Sequence, residues 1–246
     1  MRSPAKTLAA AVMALALTGC GESGEDGAKN GQTAKVPTPI ASTSTAKKPE
    51  KTTAAVPVGT GFDFYVLSLS WSPSWCGEND PQGKTRQCDT ARSHGLIVHG
   101  LWPQNDSGYE FCRSRDSDRV PETLGRQFLD IIPSMGLIGH EWRKHGTCSG
   151  LSQRDYFAVM RAAWNKLKLP PALKSGATAS RSSPTEIEAS LVSANPGMTA
   201  GGVAVTCQSG QLEEIRICLD HNLGFRSCPE IDRGGCRARS LTLPAL

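Results

Sequence analysis

The sequence predicts an α+β domain stapled by disulfides. Segments that read as strands and segments that read as helices follow no regular alternation, and their spacing suits antiparallel pairing. Eight cysteines follow Cys20 in a chain that opens with an export signal, an even count that argues for four disulfides. At 246 residues and net charge +4, there is room for one substantial domain plus tails.

Taken in order, the first 20 residues are a targeting segment. Arg2 and Lys6 form a positive start, and Leu8 to Leu17 is apolar. That run is too short to span a bilayer, which needs about 20 residues, and reads as a bacterial-type export signal. It ends in Leu17-Thr18-Gly19-Cys20, which resembles the lipobox of bacterial lipoproteins. Ordinary secretory cleavage is the alternative. Lipidation of Cys20 is favoured because Cys20 is the odd one among nine cysteines. The expected location is the periplasm or the exterior, with the chain tethered to a membrane.

Residues 21–60 are rich in Thr, Ala, Lys, Pro, Ser and Gly, with no hydrophobic period, and read as a disordered tether. About 40 flexible residues reach roughly 35 Å. The domain is placed at 61–246. It holds 20 Lys and Arg against 19 Asp and Glu, a net charge of +1. No strongly basic field is present, so gross electrostatics would not select a nucleic-acid partner; local groups would.

Phe62 to Trp71 reads as a strand stopped by Ser-Pro, and Leu96 to Leu101 as a short buried strand carrying His99. Pro121 to Ile132 places Leu124, Phe128 and Ile131 at helical spacing. Ser152 to Leu167 is the clearest helix: Ser152 suits an N-cap, and Tyr156, Phe157, Met160, Ala163, Trp164 and Leu167 form its apolar stripe. Residues 168–182 read as a loop. Ser183-Pro184-Thr185-Glu186 opens another helix with a capping pattern. Gly202 to Cys207 and Leu212 to Leu219 read as strands. The eight cysteines Cys76, Cys88, Cys112, Cys148, Cys207, Cys218, Cys228 and Cys236 leave 105 connectivities open. A zinc ribbon is disfavoured because no Cys-x-x-Cys pair occurs.

Two segments concentrate the chemistry: His99-Gly100-Leu101-Trp102-Pro103 and His140-Glu141-Trp142-Arg143-Lys144-His145-Gly146-Thr147-Cys148. They hold three of the five histidines. A pair of imidazoles is a natural acid and base near neutral pH, and a lysine and a third imidazole beside it suggest an anionic reacting group such as phosphate. At roughly 100° per residue, His140, Lys144, Glu141 and His145 would share one helical face within about 140°. A solvated helix face is the bland alternative. A zinc-protease helix fails on spacing, since its two histidines must lie four apart. His99 alone, inside an apolar run, would more often be a satisfied core residue.

These paired motifs resemble the ribonuclease T2 family. The resemblance extends from the Phe62-Asp63-Phe64-Tyr65 strand through Trp71-Ser72-Pro73 and Cys76 to the four closing cysteines, roughly Phe62 to Cys236. It implies a central antiparallel sheet flanked by helices and metal-free cleavage of single-stranded RNA through a 2′,3′-cyclic phosphate to a 3′-phosphate, with no cofactor. Carried over by residue, it makes His145 the base toward the ribose 2′-hydroxyl and His99 the acid toward the departing 5′-oxygen. Glu141 and Lys144 would stabilise the phosphorane, and His140 would hold the phosphate. Glu141 could also keep an imidazolium charged. The pairings implied are Cys76–Cys88, Cys112–Cys148, Cys207–Cys236 and Cys218–Cys228.

Gln104 stands where fungal and plant members often carry an acidic, base-reading residue, so broad base specificity is expected. Trp102 and Tyr109 are candidate stacking surfaces, with a packing anchor as the alternative for Trp102. DNA, lacking the 2′-hydroxyl, would not be cut. A monomer is expected. The rival reading is a catalytically retired member that binds RNA or a protein; the presence of both His99 and His145 argues against it.

Overall fold

The computed structural model describes residues 55–92, 94–106, 112 and 114–245. The segments read as an export signal and, for the most part, as a tether, together with Cys20 and Tyr109, lie outside them. The domain begins slightly before the compositional boundary at 61. Gly59 is buried, Thr60 N–H donates to the Ser149 carbonyl at 3.0 Å, and His221 Nδ1 meets the Gly59 carbonyl at 2.9 Å.

Strand β1 (Phe64–Trp71) is buried along its length except for half-buried Ser70. Its branched and aromatic residues suit a strand covered on both faces. Helix α1 (Ser72–Asn79) follows at once, with Pro73 in its first turn. It has no apolar period, and the sequence predicts only a strand stop there. Strand β2 (Leu96–Gln104) runs three residues past the expected end, through Pro103. Pro103 is tolerated because β2 is an edge strand.

The helix expected over Pro121 to Ile132 is broken. It is α2 (Glu122–Gly125) followed by a 3-10 turn, Arg126–Phe128. Gly125 is a poor helix former, and a Cβ there would lie 2.5 Å from the flexible end of Met135. Helix α3 (Met135–Lys144) starts on the Ser134 side chain, which accepts from Leu137 N–H at 3.2 Å. In α4 (Gln153–Lys166) Ser152 caps as expected, accepting from Asp155 N–H, and Tyr156, Phe157, Met160 and Ala163 are buried.

The segment read as a loop contains strand β3 (Ser180–Ser182). Helix α5 (Pro184–Ala194) carries the capping box of Ser183 and Glu186. Strands β4 (Val203–Gln208) and β5 (Gln211–Leu219) form a hairpin whose two turn residues, Ser209 and Gly210, both have positive φ. A short α6 (Pro229–Asp232) and β6 (Leu241–Leu243) complete the described elements.

The sheet runs β2-β1-β5-β6-β3, with β4 also paired to β5. It is antiparallel apart from one parallel pairing, Gln211 with Thr242. The odd-numbered side chains of β1, Tyr65, Leu67, Leu69 and Trp71, enter the main core with Trp142, Tyr156, Phe157, Met160, Ile215 and Ile217. Burying each such side chain stabilises by about 1.5–3 kcal/mol. On the even-numbered side, Phe64 and Val66 pack with Cys218, Cys228 and Trp102. Ser68 and Ser70 continue that row and leave it shallow. Four disulfides join Cys76–Cys88, Cys112–Cys148, Cys207–Cys236 and Cys218–Cys228, the pairs the resemblance implies.

Candidate active site

Strand β2 presents His99 through an irregularity. Ser68 pairs with Gly100 and Leu69 with Val98, so His99 is the extra residue of a β-bulge. In a regular strand His99 and Trp102, three apart, would point to opposite faces. The bulge resets the alternation. Val98 and Leu101 both enter the core, while His99 and Trp102 lie edge to face with ring centroids 5.3 Å apart.

Gly100 makes room for the helix side. A Cβ there would sit 1.8 Å from Glu141 Oε2 and 2.3 Å from Trp102 Nε1. Without it, the Glu141 carboxylate reaches the strand. Trp102 Nε1–H donates to Glu141 Oε2 at 2.9 Å, and His99 Nε2 lies 3.8 Å from Glu141 Oε1. His145 Nε2 is 4.0 Å from Glu141 Oε2, and its ring stacks on Trp102 at 5.1 Å and 25°. Gly146 permits the turn behind His145, since a Cβ there would lie 2.4 Å from the Trp142 ring.

The helical-face expectation needs correction at one residue. Helix α3 ends at Lys144, and His145 is its C-cap with φ −125° and ψ −45°. The four polar groups also divide by depth: Glu141 and His145 are buried, and His140 and Lys144 are exposed. Trp102 is half-buried, and besides Glu141 and His145 it has the Arg216 guanidinium 5.6 Å from its ring centroid.

Two residues that contact the site lie outside both motifs. Glu214, on β5, hydrogen-bonds His99 Nδ1 through Oε1, and Arg216 holds the other oxygen at 2.8 and 3.0 Å. The available signal was a carboxylate two positions before an arginine inside a strand otherwise rich in Ile and Leu.

The two main histidines sit in opposite electrostatic settings. Burial by itself would lower the pKa of His99, but the Glu214 hydrogen bond and charge, with the Glu141 charge, outweigh it and hold the imidazole above its ordinary value. Burial drives His145 down to about 3, helped by the charges of Lys144, His99 and His140. Burial also raises Glu141 to about 7, and its Oε1 is buried without a hydrogen-bond partner. His140 is lowered by burial and by Lys144 and Arg143. A cavity of about 520 Å³ opens beside His99, walled by Ser70, Trp75, Ile97, Leu137 and Glu214.

Fold and site together define two histidines on an antiparallel sheet and a helix end, with a carboxylate between the imidazoles. The chain belongs to the ribonuclease T2 family, whose profile matches residues 62–228. A ribonuclease from Aeromonas hydrophila is 35% identical over 163 residues, which is 65% of this chain and 72% of that protein. A probable ribonuclease from Haemophilus influenzae is 40% identical over 121 residues, 44% of each chain, so that match spans less than half of the relative. Among solved structures, an RNase-related protein from Calystegia sepium superposes with TM-score 0.61 at 22% identity, covering 76% of this chain and 98% of that one. RNase NT, solved in complex with 5′-AMP, superposes with TM-score 0.57 at 22% identity, covering 76% of this chain and all of that one. These structures share the fold.

Proposed function

We propose that this protein is an endoribonuclease that cuts single-stranded RNA in two metal-independent steps. His145, held neutral, takes the proton of the ribose 2′-hydroxyl. The freed oxygen attacks phosphorus, and His99, held charged, gives its Nε2 proton to the departing 5′-oxygen. A 2′,3′-cyclic phosphate results. In the second step the roles exchange: His99 takes a proton from water, and His145 protonates the 2′-oxygen to leave a 3′-phosphate. Lys144 and Glu141 stabilise the phosphorane, and exposed His140 grips the phosphate.

The observation that carries this reading is the meeting of two imidazoles at one carboxylate: His99 Nε2 lies 3.8 Å and His145 Nε2 4.0 Å from Glu141. Their surroundings displace them in opposite directions, His99 toward the charged and His145 toward the neutral form. The cavity beside His99 is of a size to take a nucleoside. Broad base preference and a monomeric enzyme remain part of the proposal. So does export with a lipid tether at Cys20, which would place the substrate outside the cytoplasm.

End-group analysis of products from a set of dinucleotides tests the chemistry. A cyclic phosphate that appears first and decays to a 3′-phosphate, with EDTA present, is the expected result. Direct formation of a 5′-phosphate, or loss of cleavage on chelation, overturns it. Mass spectrometry of the mature amino terminus tests the anchor: a start at lipidated Cys20 is expected, and an unlipidated downstream start defeats it.

A further inference from the structure

Strand β1 lies between β2, which carries His99, and β5, which carries Glu214. Neighbouring strands are about 4.8 Å apart, so these two backbones are separated by roughly 10 Å. Their side chains nevertheless meet, because the β1 residues between them are small. Ser68 pairs with Gly100 on one side and Arg216 on the other, and Ser70 pairs with Ile97 and Glu214. The bulge at His99 turns its ring across this row of serines.

We infer that Glu214 is the positioning residue of His99: it fixes Nδ1 as the hydrogen-bonded, protonated nitrogen and leaves Nε2 to face Glu141 and the reacting phosphate. The inference rests on the assignment of His99 as the acid. Glu214 is itself well held. It is buried, its backbone N–H donates to Thr206 Oγ1 at 3.1 Å, and Arg216 occupies Oε2, so Oε1 is directed at the imidazole. A buried carboxylate is costly without partners; here one oxygen has the guanidinium and the other the ring.

The arrangement divides labour between two carboxylates. Glu141 lies 3.8 Å from His99 Nε2, the nitrogen that must meet substrate, and cannot hold it without blocking it. Glu214 binds the far nitrogen and leaves the working one open, as the carboxylate of a catalytic triad does for its histidine. The charged or titratable groups around His99 are Glu214 and Arg216 on β5, His140 and Glu141 on α3, and His145 at its cap. Glu78, Arg86 and Glu213 line the adjoining cavity. Glu214 and Glu141 favour the imidazolium, while Arg216 opposes it.

A purely structural Glu214–Arg216 pair predicts that Glu214→Gln lowers thermal stability and leaves the pH profile of cleavage alone. A positioning role predicts more. By NMR titration of the full chain, the His99 midpoint falls by about one pH unit in Glu214→Gln, and it rises in Arg216→Gln, which keeps the carboxylate but removes the opposing charge. The high-pH limb of dinucleotide cleavage, where the acid loses its proton, moves in the same directions. At pH 7 kcat of Glu214→Gln falls about tenfold while KM changes less than about twofold. If Glu214→Gln fails to fold, Arg216→Gln still carries the test with its opposite sign. An unmoved His99 midpoint in the folded variants overturns the inference. A moved midpoint with an unmoved rate profile overturns it too, and locates the fault in His99 as the acid.

Discussion

The strand side and the helix side of this site use the same side chain to opposite ends. On the strand side, His99 is hydrogen-bonded to a carboxylate that is itself paired with an arginine, and it is held above its ordinary pKa. On the helix side, His145 is buried against Trp102 with cationic neighbours, and it is pushed down to about 3. Burial acts on both and disfavours the charged ring in each. The difference is one directly bonded carboxylate, Glu214. The two imidazoles are thus distinguished by what contacts the ring.

The largest expected effect comes from removing either member of the pair. His99→Ala and His145→Ala should each lower the initial rate of RNA cleavage by about 10³-fold or more, with the folded state verified by circular dichroism. Near-normal cleavage by either variant would break the contrast.

Next is the gap that lets the two sides meet. Gly100→Ala places a methyl group where Glu141 Oε2 and Trp102 Nε1 now lie. It should cost about 1–3 kcal/mol of stability by overpacking and lower kcat about 10²-fold. A variant with normal kcat would show that Glu141 need not approach the strand.

The Cys112–Cys148 disulfide fastens the segment after β2 to the turn that follows His145. Replacing both cysteines by serine should destabilise the fold by about 2–4 kcal/mol in denaturant melts. An equal loss on removing Cys76–Cys88, with no difference in activity between the two variants, would deny it any special part in the site.

The smallest effects concern stability against pH, and they carry opposite signs. His99 has a raised folded pKa, so its contribution is fully present below the unfolded value near 6.5 and is lost as pH rises through the folded value. His145 has a lowered folded pKa, so the folded state loses stability as pH falls from about 6.5 toward about 3. His145→Ala should therefore flatten the decline of Tm on acidification, and His99→Ala should not. Glu141, raised to about 7, costs stability as pH rises from the unfolded value of 4.5 through 7. Glu141→Gln should raise stability at pH 8 by about 2 kcal/mol in thermal melts while slowing cleavage. A variant less stable than the parent at pH 8 would show that the buried carboxylate is better compensated than its unpartnered oxygen implies.

Much of the fold was legible along the chain. The caps at Ser152 and Ser183 and the apolar stripe of α4 rest on interactions within a few residues, and β1, β2, β4 and β5 show as apolar runs, which a linear sequence displays. Elements without a local period were not legible. Helix α1 has no apolar stripe, and the three-residue strands β3 and β6 exist because they pair with each other across 60 residues of chain.

The candidate site divides in the same way. The sequence by itself determined which histidines, glutamate and lysine the two motifs carry, and their resemblance to the ribonuclease T2 family implied that the motifs meet. Only the tertiary structure decided how they differ. It bulges β2 so that His99 and Trp102 share a face, ends α3 one residue before His145, and sets Glu214 across two serines from His99. These outcomes depend on strand register and burial, and so does the protonation of each ring. A residue's neighbours along the chain do not specify the dielectric and the charges that surround it once the sheet has formed.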